Sequence, residues 1–378
     1  MAAQEPAPER SLHPPGAAGR VRLVVLFGGR SAEHEVSCVS AASVLAAVDL
    51  DRYDVVPVGI THDGRWVHAE AAVAALARGA AALPRALDAT GPEVEPLPTV
   101  APVGGPGEGH VVVLPLLHGP FGEDGTVQGM LELAGVPYVG AGVLGSALCM
   151  DKAAAKDVLD RHGVPQCRHL SLRDTAVDAA LVERVDAELG WPVFAKPANL
   201  GSSIGVTKVT GPEQLLPALE AAMAFDEWLV IEEAVVGREV ECGVLGNQEL
   251  AASVPGEIVP SAEFYDYDDK YSGDGATLVV PAALPPGVAD EARRLAVTAA
   301  GVLRAEGMAR VDFFYEEAGR GLLVNEVNTI PGFTPWSMYP RLWAASGVPY
   351  AELVDRLVAL ALDRHERRTR RIGRPRDA

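Results

Sequence analysis

Apolar positions come in short runs stopped by glycine-rich turns and followed by alanine-rich segments, a strand, turn and helix rhythm. Residues 21–27 form the first run, ended by Gly28 and Gly29, and Ser31 then opens a segment of helical character; this reads as a strand, a tight turn and a helix N-terminus. Further strand-like runs at 55–60 and 111–117 predict a parallel α/β domain reaching to about Val139. Between them, residues 70–109 are rich in Ala, Pro and Gly without a clear period, part helix and part loop. A second region begins near Gly145 with a helix carrying Asp151 and Lys152, continues through strands around 194–196 and 206–209, and ends with the apolar strand 228–232. The third holds a strand at 239–245, a long helix at 288–305, and strands at 308–315 and 322–328. Gly319 and Gly321 between the last two are a hairpin signal. An amphipathic helix at 350–364 closes the pattern, and no internal repeat is present. The predicted division is a disordered tail at 1–20, domains at 21–140, 141–232 and 233–366, and a basic tail at 367–378.

Composition narrows the class. A chain of 378 residues can bury two or three cores. No window holds the roughly 18 consecutive apolar residues of a membrane span, and residues 1–20 lack the basic patch and apolar stretch of a signal peptide. The net charge of −19 argues against a general nucleic-acid binder, so an anionic ligand must meet a local cluster of cations. Arg367, Arg368, Arg370, Arg371, Arg374 and Arg376 read as a solvated tail beyond the last helix. Cys38, Cys149, Cys167 and Cys242 have no CxxC spacing. They suit reduced thiols in the cytoplasm better than zinc or disulfides.

Candidate chemistry concentrates at the last hairpin. Arg310 and Asp312 share one face of their strand, and Glu326 and Asn328 share one face of the next. If the connecting loop has odd length, the pairs fall opposite each other, and their oxygens suit magnesium completed by phosphates and water. An arginine–carboxylate bridge on an exposed sheet face is the plain alternative. A second constellation places Lys196 at a strand end before the small-residue loop 201–205. Its N–H groups can approach phosphate oxygens while the lysine supplies a point charge. It is not a P-loop, because the lysine precedes the glycines, and no GxGxxG follows a strand, which removes the nicotinamide-dependent oxidoreductase reading.

Several motifs in order resemble the ATP-grasp superfamily and, within it, the D-alanine:D-alanine ligases. They lie at 28–37 (GGRSAEHEVS), 117–125 (LHGPFGEDG), 150–152 (MDK), 196–205, 231–233 (IEE), 264–271 (FYDYDDKY), 310–312 (RVD) and 325–332 (NEVNTIPG), and the resemblance spans residues 21–365. It implies an N-terminal parallel α/β substrate domain followed by two α+β subdomains that sandwich ATP. The implied reaction makes D-alanyl-D-alanine for peptidoglycan precursors through a D-alanyl phosphate, in a cytoplasmic homodimer. ATP and two magnesium ions, replaceable by manganese, are the implied cofactors; D-alanine and ATP are the small-molecule partners, with no nucleic acid and no membrane. A D-alanine:D-lactate ligase, or another carboxylate–amine ligase, is the nearest rival.

The resemblance also assigns roles. Adenine lies near Phe194 and the 232–235 strand end, including Glu232, Glu233 and Val235, with the ribose on Glu239. Lys152 and Lys196 neutralise phosphates with help from the loop serines Ser202 and Ser203, and Asp312, Glu326 and Asn328 look like the metal ligands. Lys270 and Arg310 offset charge during phosphoryl transfer, while Arg310 and the N–H of Gly332 meet the later oxyanion. Glu33 holds the first ammonium, although its position alone reads as a charge complementing the helix dipole. Ser202 links Glu33 to Tyr271, His118 orients substrate or caps its loop, and Ser337 binds the second carboxylate with Lys270 or serves a helix cap. Residues 261–277, with Gly273 and Gly275 as pivots, read as a lid.

Overall fold

Each amphipathic run finds a sheet to cover, and the described residues form three sheets. The computed structural model describes residues 20–101, 110–260 and 276–372. The first layer is built from β1 (Val21–Gly28), α1 (His34–Ala47), β2 (Tyr53–Ile60), β3 (Trp66–His68), α2 (Glu70–Ala77), α3 (Pro96–Val100), β4 (Val111–Pro115) and α4 (Thr126–Leu133). Its strand order is β3-β2-β1-β4, with β1 parallel to β2 and β4. The short β3, which sequence periodicity does not reveal, adds antiparallel to β2. A strand buried on both faces must be apolar throughout, and 23–27 (LVVLF) is fully buried.

The middle of the chain forms α5 (Val143–Met150), α6 (Lys152–Arg161), β5 (His169–Arg173), α7 (Ala179–Glu188), β6 (Val193–Pro197), β7 (Thr207–Val209), α8 (Pro212–Met223) and β8 (Trp228–Glu233). Its antiparallel sheet runs β5-β8-β6-β7, and α7 and α8 bury Val185, Leu215 and Leu219 against it. The remainder forms β9 (Arg238–Gly246), β10 (Leu250–Val259), β11 (Thr277–Val279), α9 (Val288–Val302), β12 (Gly307–Glu316), β13 (Gly321–Asn328), α10 (Met338–Ala345) and α11 (Tyr350–Ile372). Its sheet is ordered β11-β10-β9-β12-β13.

Two packing facts differ from a division by sequence. Helices α5 and α6 follow the first domain in sequence but bury Cys149, Ala155 and Leu159 in one core with β9, β12 and α9. The final helix closes the core of the first layer: Leu353, Val354, Leu357 and Val358 join Val25, Phe27 and Leu45, together with Met308 and Phe333. This helix also runs to Ile372, beyond the expected end at Arg364. The expected tail is therefore helical through that point, because its arginines find carboxylates: Arg367 pairs with Asp363 and Glu306, Arg368 with Glu132, and Arg370 with Glu366. Arg374 and Arg376 lie outside the described residues. Among the described residues, no helix is long and apolar enough to cross a membrane.

Candidate active site

The β12–β13 hairpin brings Arg310, Asp312, Glu326 and Asn328 onto one surface through an irregularity. Glu316 pairs with Gly321, so the turn has four residues, and regular pairing back from it would set Asp312 against Asn325. A β-bulge after Asp312 leaves Asn325 over and restores the register: Asp312 opposes Glu326 and Arg310 opposes Asn328. One extra residue in a strand moves every later side chain to the other face, so the even turn and the bulge together do what an odd loop would have done.

The charges on this surface are interlocked. Arg310 grips Asp312 with two bonds of 2.7 and 2.6 Å and lies 3.1 Å from Glu241, a buried carboxylate on β9. Asn328 donates to Asp312 at 2.9 Å, and Lys152 stands 3.8 Å from Glu326. Although burial opposes the charge of Arg310, Asp312 and Glu241 hold its pKa well above the usual value. Among the described residues, no three His, Cys, Asp or Glu side chains gather as a complete metal-holding group. Asp312, Glu326 and Asn328 offer only oxygens, a partial shell of the kind magnesium accepts when phosphates and water fill the rest.

Opposite the hairpin, the β6–β8 sheet presents cations. Lys196 on β6 lies 2.5 Å from Glu232 on β8, and the fully buried Lys156 of α6 lies 2.8 Å from the other oxygen. Burial pushes the Glu232 carboxyl up, but the two lysines outweigh it and hold its pKa far below the ordinary range. Lys156 was not anticipated, yet it left a signal: it follows Lys152 by one helical turn, among Ala153, Ala155 and Leu159, on a face that should be apolar. Lys152, at the first position of α6, donates to the Leu200 carbonyl at 2.5 Å, and burial lowers its pKa. Phe194 pairs with Glu232 across β6 and β8, Val235 lies in the short link after β8, and Glu239 stands near the start of β9. The Glu233 carboxylate is engaged by Arg168 and Arg320 at 2.7 and 2.5 Å, away from Lys156 and Lys196.

The mouth of the cleft is framed by Gly29–Glu33 and the 117–125 loop. Glu33 is buried at the N-terminus of α1 and accepts from Ser202 at 2.5 Å. Ser202 and Ser203 both have positive φ, 50° and 59°, a conformation costing a non-glycine residue on the order of 1 kcal/mol. His118 is buried with Nδ1 3.0 Å from the Ile330 carbonyl, and because a carbonyl only accepts, the ring proton sits on Nδ1. Burial lowers its pKa and keeps it neutral, with Glu33 and Arg310 as charged neighbours. Its Nε2 has no hydrogen-bond partner among the described residues. Glu123, also not anticipated as a site residue, accepts from Gly119 N–H at 2.8 Å, and burial together with Glu33 raises its pKa to about 8.

Gly332 lies beside Ser337, whose hydroxyl accepts from Thr334 N–H at 3.0 Å and closes that turn without capping α10. A Cβ at Gly332 would come within 2.7 Å of the Ser337 hydroxyl, so any side chain there requires Ser337 to shift. Lys270, Tyr271 and most of the expected lid lie outside the described residues.

Buried lysines around Glu232 on one sheet and a carboxylate hairpin on the other, bridged by Lys152, suit the ATP-grasp class of fold. Comparison with known proteins narrows this. Residues 22–141 match the family described as D-ala D-ala ligase N-terminus, and residues 158–359 match its C-terminus. A D-alanine–D-alanine ligase of Kineococcus radiotolerans is 51% identical over 91% of this chain and 97% of its own. Its counterpart from Halothermothrix orenii is 46% identical over 91% and 99%. Among solved structures, the D-alanine-D-alanine ligase of Coxiella burnetii superposes with a TM-score of 0.77 at 32% identity, covering 93% of this chain and 98% of that one. A D-Ala:D-Ser ligase of Enterococcus faecalis gives 0.77 at 35%, covering 91% and 100%. The chain belongs to the D-alanine–D-alanine ligase family, which uses ATP to join two D-alanines for peptidoglycan synthesis.

Proposed function

We propose that this chain performs its family's reaction in the cleft between the β6–β8 sheet and the β12–β13 hairpin. The observation that carries the reading is convergence: Glu33 comes from the first layer, Ser202 from the middle of the chain, and Arg310 with its carboxylates from the last sheet. Segments far apart in the chain meet here, with the buried Glu33 on one side and Lys152 and Lys196 on the other.

The division of labour follows from charge. Glu33, fixed by Ser202, binds the ammonium of the first D-alanine, and His118 orients that substrate through Nε2. Its carboxylate oxygen attacks the γ-phosphorus of ATP, the bond to the ADP oxygen breaks, and an acyl phosphate forms. Lys152 and Lys196 lie along the phosphates, with Ser203 in the loop beside them, and Arg310 offsets the approach of two anions. The second amine then attacks the acyl carbon, its oxyanion facing Arg310 and the Gly332 N–H, and phosphate departs as the amine gives up its proton. Asp312, Glu326 and Asn328 would hold magnesium, with manganese as a substitute; bound there, it adds positive charge at the transferring phosphoryl group. Phe194, Glu232, Val235 and the main chain of Glu233 line the adenine end, and Glu239 the ribose. Lys270, Tyr271 and Ser337 complete the second-substrate side, in a cytoplasmic homodimer.

Phosphate release from ATP, measured with D-alanine, D-serine and D-lactate singly and in pairs, tests the reading. D-alanine alone is expected to suffice and to yield D-alanyl-D-alanine. Absence of turnover with D-alanine, or a mainly ester product from mixed D-alanine and D-lactate, would overturn it.

A further inference from the structure

The Glu233 side chain stands apart from the chemistry around it. Adjacent residues of a strand face opposite ways, so while Glu232 meets the two cleft lysines, Glu233 meets the back of the molecule. It is the last residue of β8, and residues 234–237 are the only covalent link from there to β9. Its carboxylate is shared by two arginines from different units. Arg168, just before β5, donates through its backbone N–H and Nε, both at 2.7 Å, and ties α7 through the carbonyls of Glu188 and Leu189. Arg320, in the β12–β13 turn, donates at 2.5 Å and is itself held by Glu316 through bonds of 2.8 Å. Four residues further along β13, Val324 N–H donates to the Pro165 carbonyl at 2.8 Å.

We propose that Arg320 is a positioning residue for the nucleotide: by bridging Glu233 to Glu316 it straps the adenine end of β8 to the hairpin that bears Asp312 and Glu326. The inference rests on the nucleotide assignment above. A ligand gripped at both ends binds well only if the two grips are held at its own length, and a four-residue link leaves the angle between the sheets free to vary. The strap and the Val324–Pro165 bond restrict that angle before the nucleotide arrives, so less ordering is left for binding to supply. Glu233 accepts from both arginines at once, and its pKa is lowered accordingly despite burial.

The test is steady-state kinetics of R320M and R320Q in the full chain, with ADP affinity measured by calorimetry. Arg320 is 41% exposed at its side chain, so both variants are expected to fold. A partly exposed ion pair of this kind should give a rise of about threefold to fivefold in KM for ATP and in Kd for ADP. The kcat and the KM for D-alanine should stay within about twofold, and R320K should recover part of the loss. Nucleotide parameters within about twofold of wild type in both variants would overturn the strap. So would an equal deterioration of kcat and both KM values, which marks a merely structural residue. A wild-type protein that fails to turn over ATP with D-alanine sinks the ligase reading; a working wild type with unchanged variants sinks only the strap.

Discussion

The two walls of the cleft carry opposite imbalances. At the β6–β8 sheet one buried carboxylate, Glu232, lies between Lys156 and Lys196. At the hairpin, Glu241, Asp312 and Glu326 face Arg310 and Lys152. The first wall is left with a spare positive charge and is complementary to phosphate as it stands. The second is left with a spare negative charge and becomes complementary to phosphate only when a cation joins it. On the function proposed above, an otherwise acidic protein would hold its polyanion by two devices: fixed lysines on the nucleotide side, and a surface that needs a cation where the charge moves.

The comparison breaks most visibly at the hairpin. Glu326→Gln removes a formal charge without opening a cavity, and turnover at limiting magnesium should fall by at least about a hundredfold while the folded state persists; near-normal turnover in a folded variant would mean that the spare negative charge has no catalytic use. At the other wall, Lys156→Met deletes one of two cations from a fully buried group. A loss of about 3 kcal/mol in unfolding free energy is expected. The contribution of Glu232 is fully present above the ordinary carboxylate range and drains as pH falls toward its depressed folded value. Acid unfolding should therefore begin at higher pH in the variant, and unchanged acid and denaturant midpoints would show that Lys196 alone suffices.

The smallest effect sharpens the comparison on its acidic side. Glu123, beside Glu33, relieves crowding by keeping a proton, with its pKa raised to about 8. A carboxyl raised in this way contributes stability below its unfolded pKa and loses it as pH climbs through the folded value. Between roughly pH 4.5 and 8, wild-type stability should thus decline with a slope that Glu123→Gln flattens; identical slopes would place the proton elsewhere.

Much of this was legible in the chain. The parity of Asp312 with Arg310, and of Glu326 with Asn328, followed from strand alternation, and the glycine-rich turn after β1 located Glu33. The opposition of the two pairs was not legible, because it depends on a bulge at Asn325 that no local pattern announces. Strand β10 was overlooked because Pro255 and Gly256 interrupt its run; the structure accommodates them with a register shift between Ala252 and Pro255. Glu241 and Lys156 belong to no motif in the sequence, and only the partners a buried charge needs, Arg310 and Glu232, place them at the site. The basic run from Arg367 reads as a tail because two of its carboxylates, Glu132 and Glu306, lie far away in sequence, although Asp363 and Glu366 stand only one helical turn off.

The packing of α11 against the first layer also sets an order of events during synthesis. Val25 and Phe27 are made long before Leu353, Leu357 and Val358, yet the core they enter is completed by those three residues. Tyr53 waits likewise for Asp355, its hydrogen-bond partner at 2.7 Å. Until that helix emerges, the core that α1 and α2 form on the first layer lacks its last wall, while the β5-β8-β6-β7 sheet already has its own helices. The middle of the chain can therefore complete its core before the first layer does, and the strands of that layer keep part of their apolar surface open for longer.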